Sequence, residues 1–215
     1  MSVRSGTRSS SGTTSSTDVP ARIPDRVPLV GRFVRLEPMT REHLPELFGA
    51  IGRPEVFAGG YGGGPAGYRP DLDGFLRFAE GYYAWDAGLP FAVLVDGRVV
   101  GTTTLGFANP KDEQIEIGWT AYAPEVWGGP VNPECKLLLL GTAFEHGFGR
   151  VAIQADDRNA RSRAAILKLG ATFEGVKRRD KQRADGSWRG SAIYSILSDE
   201  WPDVRARLEA RLARS

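Results

Sequence analysis

Three short stretches carry residue types whose spacing could do chemistry. In Gln114-Ile115-Glu116-Ile117-Gly118-Trp119-Thr120 a carboxylate sits between two isoleucines. In an extended chain successive side chains point to opposite faces, so Glu116 faces away from Ile115 and Ile117. A carboxylate held there could serve as a general base, taking a proton from a reacting group. The same alternation also describes a carboxylate on a solvated sheet face. In Trp127-Gly128-Gly129-Pro130-Val131-Asn132-Pro133, Asn132 is a preferred N-cap and Pro133 suits the first helical position. The free amides of that first turn, with those of Gly128, Gly129 and Val131, would form a positively polarised cradle fit for a diphosphate. An ordinary capped helix after a turn looks the same. In Asn159-Ala160-Arg161-Ser162, Asn159 can cap a further helix.

The elements that must position these residues follow from periodicity. Residues 28–36 alternate apolar and basic side chains as a half-buried strand does, and Thr40 can cap a helix through Leu44, Leu47, Phe48 and Ile51. The glycine-rich stretch 59–67 exposes too much backbone for a regular element and reads as a mobile loop beside a site. Leu72, Phe75, Leu76, Ala79, Tyr82 and Tyr83 repeat at helical spacing. Asp96-Gly97 between residues 91–95 and 99–107 is a strong hairpin signal. A strand at 114–120, a helix over 133–147, a strand at 151–155 and a helix over 160–168 imply a parallel pair with a crossover. Segments 172–176 and 191–197 close the sheet as a hairpin around Ala184-Asp185-Gly186-Ser187, and a polar helix spans 201–213. The expected fold is α+β: a mixed sheet of about seven strands flanked by helices.

Composition narrows the function classes. Among 215 residues, 28 basic and 26 acidic side chains give a net charge of +2, and no global field points to nucleic acid or membrane. A single cysteine, Cys135, and two histidines exclude a disulfide framework and leave little for a metal site, so none is expected. A cytoplasmic setting fits. Residues 1–26 are expected as a disordered Ser/Thr/Gly-rich tail before one domain over 27–215, with no apolar run for a signal peptide.

From Gly31 to about Leu208 the chain resembles the GNAT superfamily of N-acetyltransferases, in its RimJ/RimL-like branch. The resemblance rests on "GRFVRLEPMTREHLPELF", "IEIGWT", "WGGPVNPECKLLLLGTAFE" and "DDRNARSRAAILKLGATFEG". It implies a mostly antiparallel sheet whose parallel fourth and fifth strands splay apart. The pantetheine arm of acetyl-CoA would then bond to backbone at Thr120, Ala121 and Tyr122. The family's diphosphate loop runs Gln or Arg, Gly, any residue, Gly, any residue, Gly or Ala; here Trp127, Gly128, Gly129, Pro130, Val131 and Asn132 stand in those places. Pro130 has no amide to give, so binding must lean on Gly129, Val131 and Asn132 with the helix dipole behind them. Asn159 and Ser162 match an Asn that meets the pantetheine arm and a Ser near the thioester sulfur, with Arg161 towards the adenosine phosphate.

The resemblance implies acetyl transfer to a primary amine, on a small molecule or a protein N-terminus, with Glu116 as base through water. The tyrosine that often protonates the leaving thiolate is replaced by leucines at Leu167 and Leu169, which leaves Ser162, with Tyr194 as a weaker candidate. Cys135 reads as a buried apolar residue rather than an acyl carrier, although a helix start could lower its pKa. A homodimer accords with the family's habit. The alternative is a catalytically silent module that binds or senses coenzyme A. The run Lys177-Arg178-Arg179-Asp180-Lys181-Gln182-Arg183 reads as a solvated surface or as a means of steering an acidic acceptor.

Overall fold

The computed structural model describes residues 20–215. Of the expected tail, residues 1–19 lie outside the described residues. Residues 20–26 are irregular but tied down, with the Arg22 amide donating to the His146 carbonyl and Arg26 donating to the Trp85 and Gly88 carbonyls.

One eight-stranded sheet organises the chain. Its strands are β1 (Leu29–Val30), β2 (Arg35–Pro38), β3 (Gly88–Val95), β4 (Arg98–Asn109), β5 (Gln114–Tyr122), β6 (Arg150–Asp156), β7 (Thr172–Gln182) and β8 (Trp188–Leu197). They lie in the order β1-β2-β3-β4-β5-β6-β8-β7, and every neighbouring pair is antiparallel except β5 and β6. The eighth strand arises because the expected first strand is two short ones. Between them the buried Glu134 carboxylate accepts from the amides of Arg32, Phe33 and Val34, which turns the chain there.

Helices α1 (Leu44–Ile51), α2 (Pro54–Ala58) and α3 (Leu72–Tyr82) cover one face, where Leu44, Leu47, Ile51, Phe57 and Phe75 are buried. Thr40 makes its capping box ahead of α1, around a short 3-10 turn, and the Asp71 side chain accepts from the Gly74 amide at the start of α3. The main core lies on the other face, under α4 (Val131–Glu145), α5 (Ala160–Leu169) and α6 (Trp201–Leu212). Among the described residues no helix is long and apolar enough to cross a membrane.

Two features position the site. The first is a bulge in β5. Thr104 pairs with Gly118 and Thr102 with Ala121, so two residues, Trp119 and Thr120, oppose Thr103. Trp119 adopts φ +49°, costly for a bulky side chain, and its indole is held by a 3.0 Å bond to the Tyr82 carbonyl. The second is the stretch 59–67, which is compact: two short 3-10 turns with Tyr61, Gly62 and Gly67 buried. A Cβ on Gly67 would lie 2.0 Å from the Gly62 carbonyl oxygen, so that turn admits only glycine. Its glycines therefore serve close packing rather than an open loop.

Candidate functional site

Pairing between β5 and β6 runs from Gln114 with Arg150 to Ile117 with Ile153 and then stops. From Gly118, just ahead of the bulge, the strands part, and the gap opens a cleft of about 630 Å³, within the size range of ligand sites. Its walls include Glu116, Thr120, Ala121, Tyr122, Trp127, Gly128, Asn132, Asn159, Arg161 and Ser162. The residues singled out by sequence thus converge on one cleft, apart from Gly129 and Val131, which do not line it.

At one end stands the start of α4, which differs from the expectation. Pro130, not Asn132, is the N-cap, and the Glu134 amide closes the first turn onto the Pro130 carbonyl. The helix begins earlier because Val131 is already buried in the main core. Pro133 therefore sits third in the helix, where its missing amide would have been unpaired in any case. With prolines at two of the four opening positions, the first turn offers only the Val131 and Asn132 amides. The Gly129 amide is engaged by the Val126 carbonyl at 3.4 Å, which leaves Gly128, at φ +80°, as the other available donor.

Side chains make up the deficit. The Trp127 indole donates to the Tyr122 carbonyl at 2.9 Å, and its ring carries the Arg161 guanidinium 3.9 Å from the centroid. A cation is thus held over the loop whose own sequence lacks one. Asn159 takes the structural role that sequence allowed: its side-chain oxygen caps α5 by accepting from the Ser162 amide at 2.9 Å. Its amide nitrogen also donates to the Gly59 carbonyl, tying α5 to the glycine-rich stretch. The Ser162 side chain lines the cleft, and among the described residues its hydroxyl has no hydrogen-bond partner.

Sequence reasoning missed Lys136. It is 4% exposed, lines the cleft, and donates to Thr120 Oγ1 at 3.0 Å and Thr103 Oγ1 at 3.4 Å, with no carboxylate in its ion-pair range among the described residues. Burial holds its ammonium down at about 8. A signal existed: Lys136 interrupts the apolar run Cys135 to Leu140, one turn after Asn132.

Glu116 stands one residue before the last pair of β5 and β6, on the face covered by α1 to α3. Burial raises its carboxyl above the usual range, against the pull of Lys181, of the Gln154 amide that donates to it at 2.8 Å, and of Arg189. Tyr61 and Tyr82 complete this end of the cleft. The aromatics Phe57, Tyr68, Tyr83 and Trp85 pack in the second core around them. Arg183 from the basic run is clasped by Asp156 through two bonds of 2.8 and 2.9 Å, and Lys177 pairs with Asp180. The Ala184 amide donates to the Gly63 carbonyl at 3.1 Å, so the hairpin of β7 and β8 touches the glycine-rich stretch.

The expectation for Tyr194 fails, whereas Cys135 is the buried residue expected. Tyr194 is buried in the main core with its hydroxyl accepting from Arg163 Nε at 3.0 Å, and it does not line the cleft. Cys135 is fully buried beside Tyr122, and burial pushes its thiol up to about 12, the reverse of activation by a helix start.

Known proteins share this architecture. "Putative ribosomal N-acetyltransferase YdaF" of Bacillus subtilis (strain 168) is 30% identical over 119 residues, 55% of this chain and 64% of that protein, so the match spans less than two thirds of that relative. A GCN5-related N-acetyltransferase from Brucella melitensis superposes with a TM-score of 0.81 at 28% identity, covering 90% of this chain and 89% of that one. Mycobacterium smegmatis RimJ, solved in complex with CoA-disulfide, shares the fold with a TM-score of 0.64 at 21% identity, over 86% of this chain and 92% of that one. The acetyltransferase (GNAT) domain matches residues 34–172, more than half of the chain, and the protein belongs to the GNAT acetyltransferase family.

Proposed function

We propose that the cleft transfers an acetyl group from acetyl-CoA to an amine. The observation that carries this reading is the placement of Glu116: a desolvated carboxylate where β5 and β6 part, in the same cleft as the helix start and Arg161. The diphosphate lies against the Gly128, Val131 and Asn132 amides and Arg161. The pantetheine arm runs along the free edge of β5 at Thr120 and Ala121, because the Tyr122 carbonyl is occupied by the Trp127 indole. Lys136 has a third ammonium proton beyond its two threonine partners, and it donates that proton to the donor substrate.

In the transfer, the acceptor nitrogen forms a bond to the thioester carbonyl carbon as the carbon–sulfur bond breaks. The amine proton passes to Glu116, directly or through water. Coenzyme A leaves as the thiolate, with the Ser162 hydroxyl donating to it. A carboxyl lifted towards neutral pH is a better base for this step than an ordinary one.

The test is acetyl-CoA-dependent thiol release with a panel of amino acids, peptides, polyamines and aminoglycosides, repeated with succinyl-CoA. Acceptor-dependent release with acetyl-CoA is expected. Stabilisation by coenzyme A without acylation of any amine would instead favour a silent binding module.

A further inference from the structure

Besides the Tyr122 hydroxyl, which lies beside Cys135, two buried polar atoms of cleft-lining residues have no hydrogen-bond partner among the described residues: Gln154 Oε1, an acceptor, and Arg189 Nε, a donor. Both side chains belong to the Glu116 end. Gln154 donates to Glu116 at 2.8 Å, and the positive charge of Arg189 is felt at both Glu116 and Tyr82. Orphaned buried groups are costly, and a pair of opposite kinds asks for a ligand that brings one donor and one acceptor.

The charges make the same request. Lys181 on β7 stands directly opposite Arg189 on β8, a like-charge cross-strand pair that is unfavourable without an anion. Neither forms an ion pair among the described residues, whereas Arg183 is taken by Asp156 and Asp157, and Asp180 by Lys177 and Ser191. Arg161, at the far side, lies over Trp127. Among the described residues Glu116 feels both cations, while Lys181 also feels Asp180. Once Glu116 accepts a proton, Arg189 loses its carboxylate and Lys181 keeps only the already paired Asp180.

We infer that this end of the cleft is a subsite for a zwitterionic acceptor, with the amine between Glu116 and Gln154 Oε1 and a carboxylate on Arg189 and Lys181. The planar guanidinium matches a carboxylate in a way a point charge does not. This rests on the acetyl-transfer reading and sharpens its substrate class. The carboxylate has two sources, a free amino acid or a peptide whose residue next to the N-terminus is acidic.

The experiment compares glycine and glutamate with their amides, and dipeptides acidic at the second position with neutral ones, in wild type, Arg189→Met and Arg189→Lys. It adds binding of N-acetylglycine and N-acetylglycinamide in the presence of coenzyme A. The free-acid arm or the acidic-peptide arm is expected to be favoured at least about 10-fold over its neutral partner, in keeping with a lost charge-assisted bond. Arg189→Met should raise KM for the acid about 10-fold or more and change the neutral partner far less; Arg189→Lys should recover part of it. Coenzyme A binding by each variant reports that it is folded. Equal use of acid and amide, or equal loss on both, overturns the subsite and leaves acetyl transfer standing. Carboxylate-dependent binding that Arg189→Met removes, with no amine acetylated, keeps the subsite and overturns the transfer.

Discussion

The two ends of the cleft handle charge in opposite ways. Around the start of α4, recognition is assembled mostly from neighbours in the chain, three backbone amides between Gly128 and Asn132 and an indole at Trp127, with one arginine brought over it from α5. At the Glu116 end, charge comes from side chains on four strands, β5 to β8, and the turn after β7, with one clasped pair, Arg183 with Asp156, beside two cations without an ion pair, Lys181 and Arg189. A ligand part that never changes can be met by fixed backbone geometry. A variable one is read by side chains, which can be exchanged without disturbing the fold.

That division can be broken or sharpened by substitution. Glu116→Gln should lower kcat by about 10² to 10⁴ and leave coenzyme A affinity nearly unchanged, as titration calorimetry can show; a parallel loss of binding would merge the two ends. Lys136→Met comes next. Removing a buried ammonium held at about 8 should stabilise the free protein by up to about 3 kcal/mol near neutral pH while weakening coenzyme A binding. The sign is set by linkage: the folded chain binds fewer protons than the unfolded one between about 8 and 10.5, so wild-type stability rises with pH there and the variant should lack that rise in urea unfolding. Arg161→Ala should raise the Kd for coenzyme A about 5- to 30-fold, the loss of one stacked, phosphate-facing cation. The smallest effect belongs to Asn159→Ala, about 1 kcal/mol of stability for the α5 cap, measured as a fall in Tm.

The same contrast explains what could be read in the sequence. The hairpin at Asp96-Gly97, the Ile115-Glu116-Ile117 alternation and the helix after Asn159 are local patterns, and each lies where periodicity placed it. Even the misplaced cap at Asn132 moved the helix start by only two residues, because burial of Val131 outweighed a capping preference. Helix α2 escaped because five residues are too few for a period. Tyr194, the weaker candidate for protonating the thiolate, carries no local signal of its direction, and its side chain faces the main core and Arg163. The orphaned Arg189 and Gln154 had no local signal. Their meaning depends on which segments fold against them, and the basic run from Lys177 to Arg183 looks uniform although its members find different partners.

The central claim is that Glu116, desolvated at the parting of β5 and β6, takes the acceptor's proton. The direct measurement is kcat against pH at saturating acetyl-CoA and acceptor, for wild type and Glu116→Gln. Because burial raises the Glu116 carboxyl, the wild-type rate should climb with pH along a limb centred above the usual carboxylate range, and the variant should be slow and lack that limb. A variant that keeps both the wild-type rate and the limb would contradict the account.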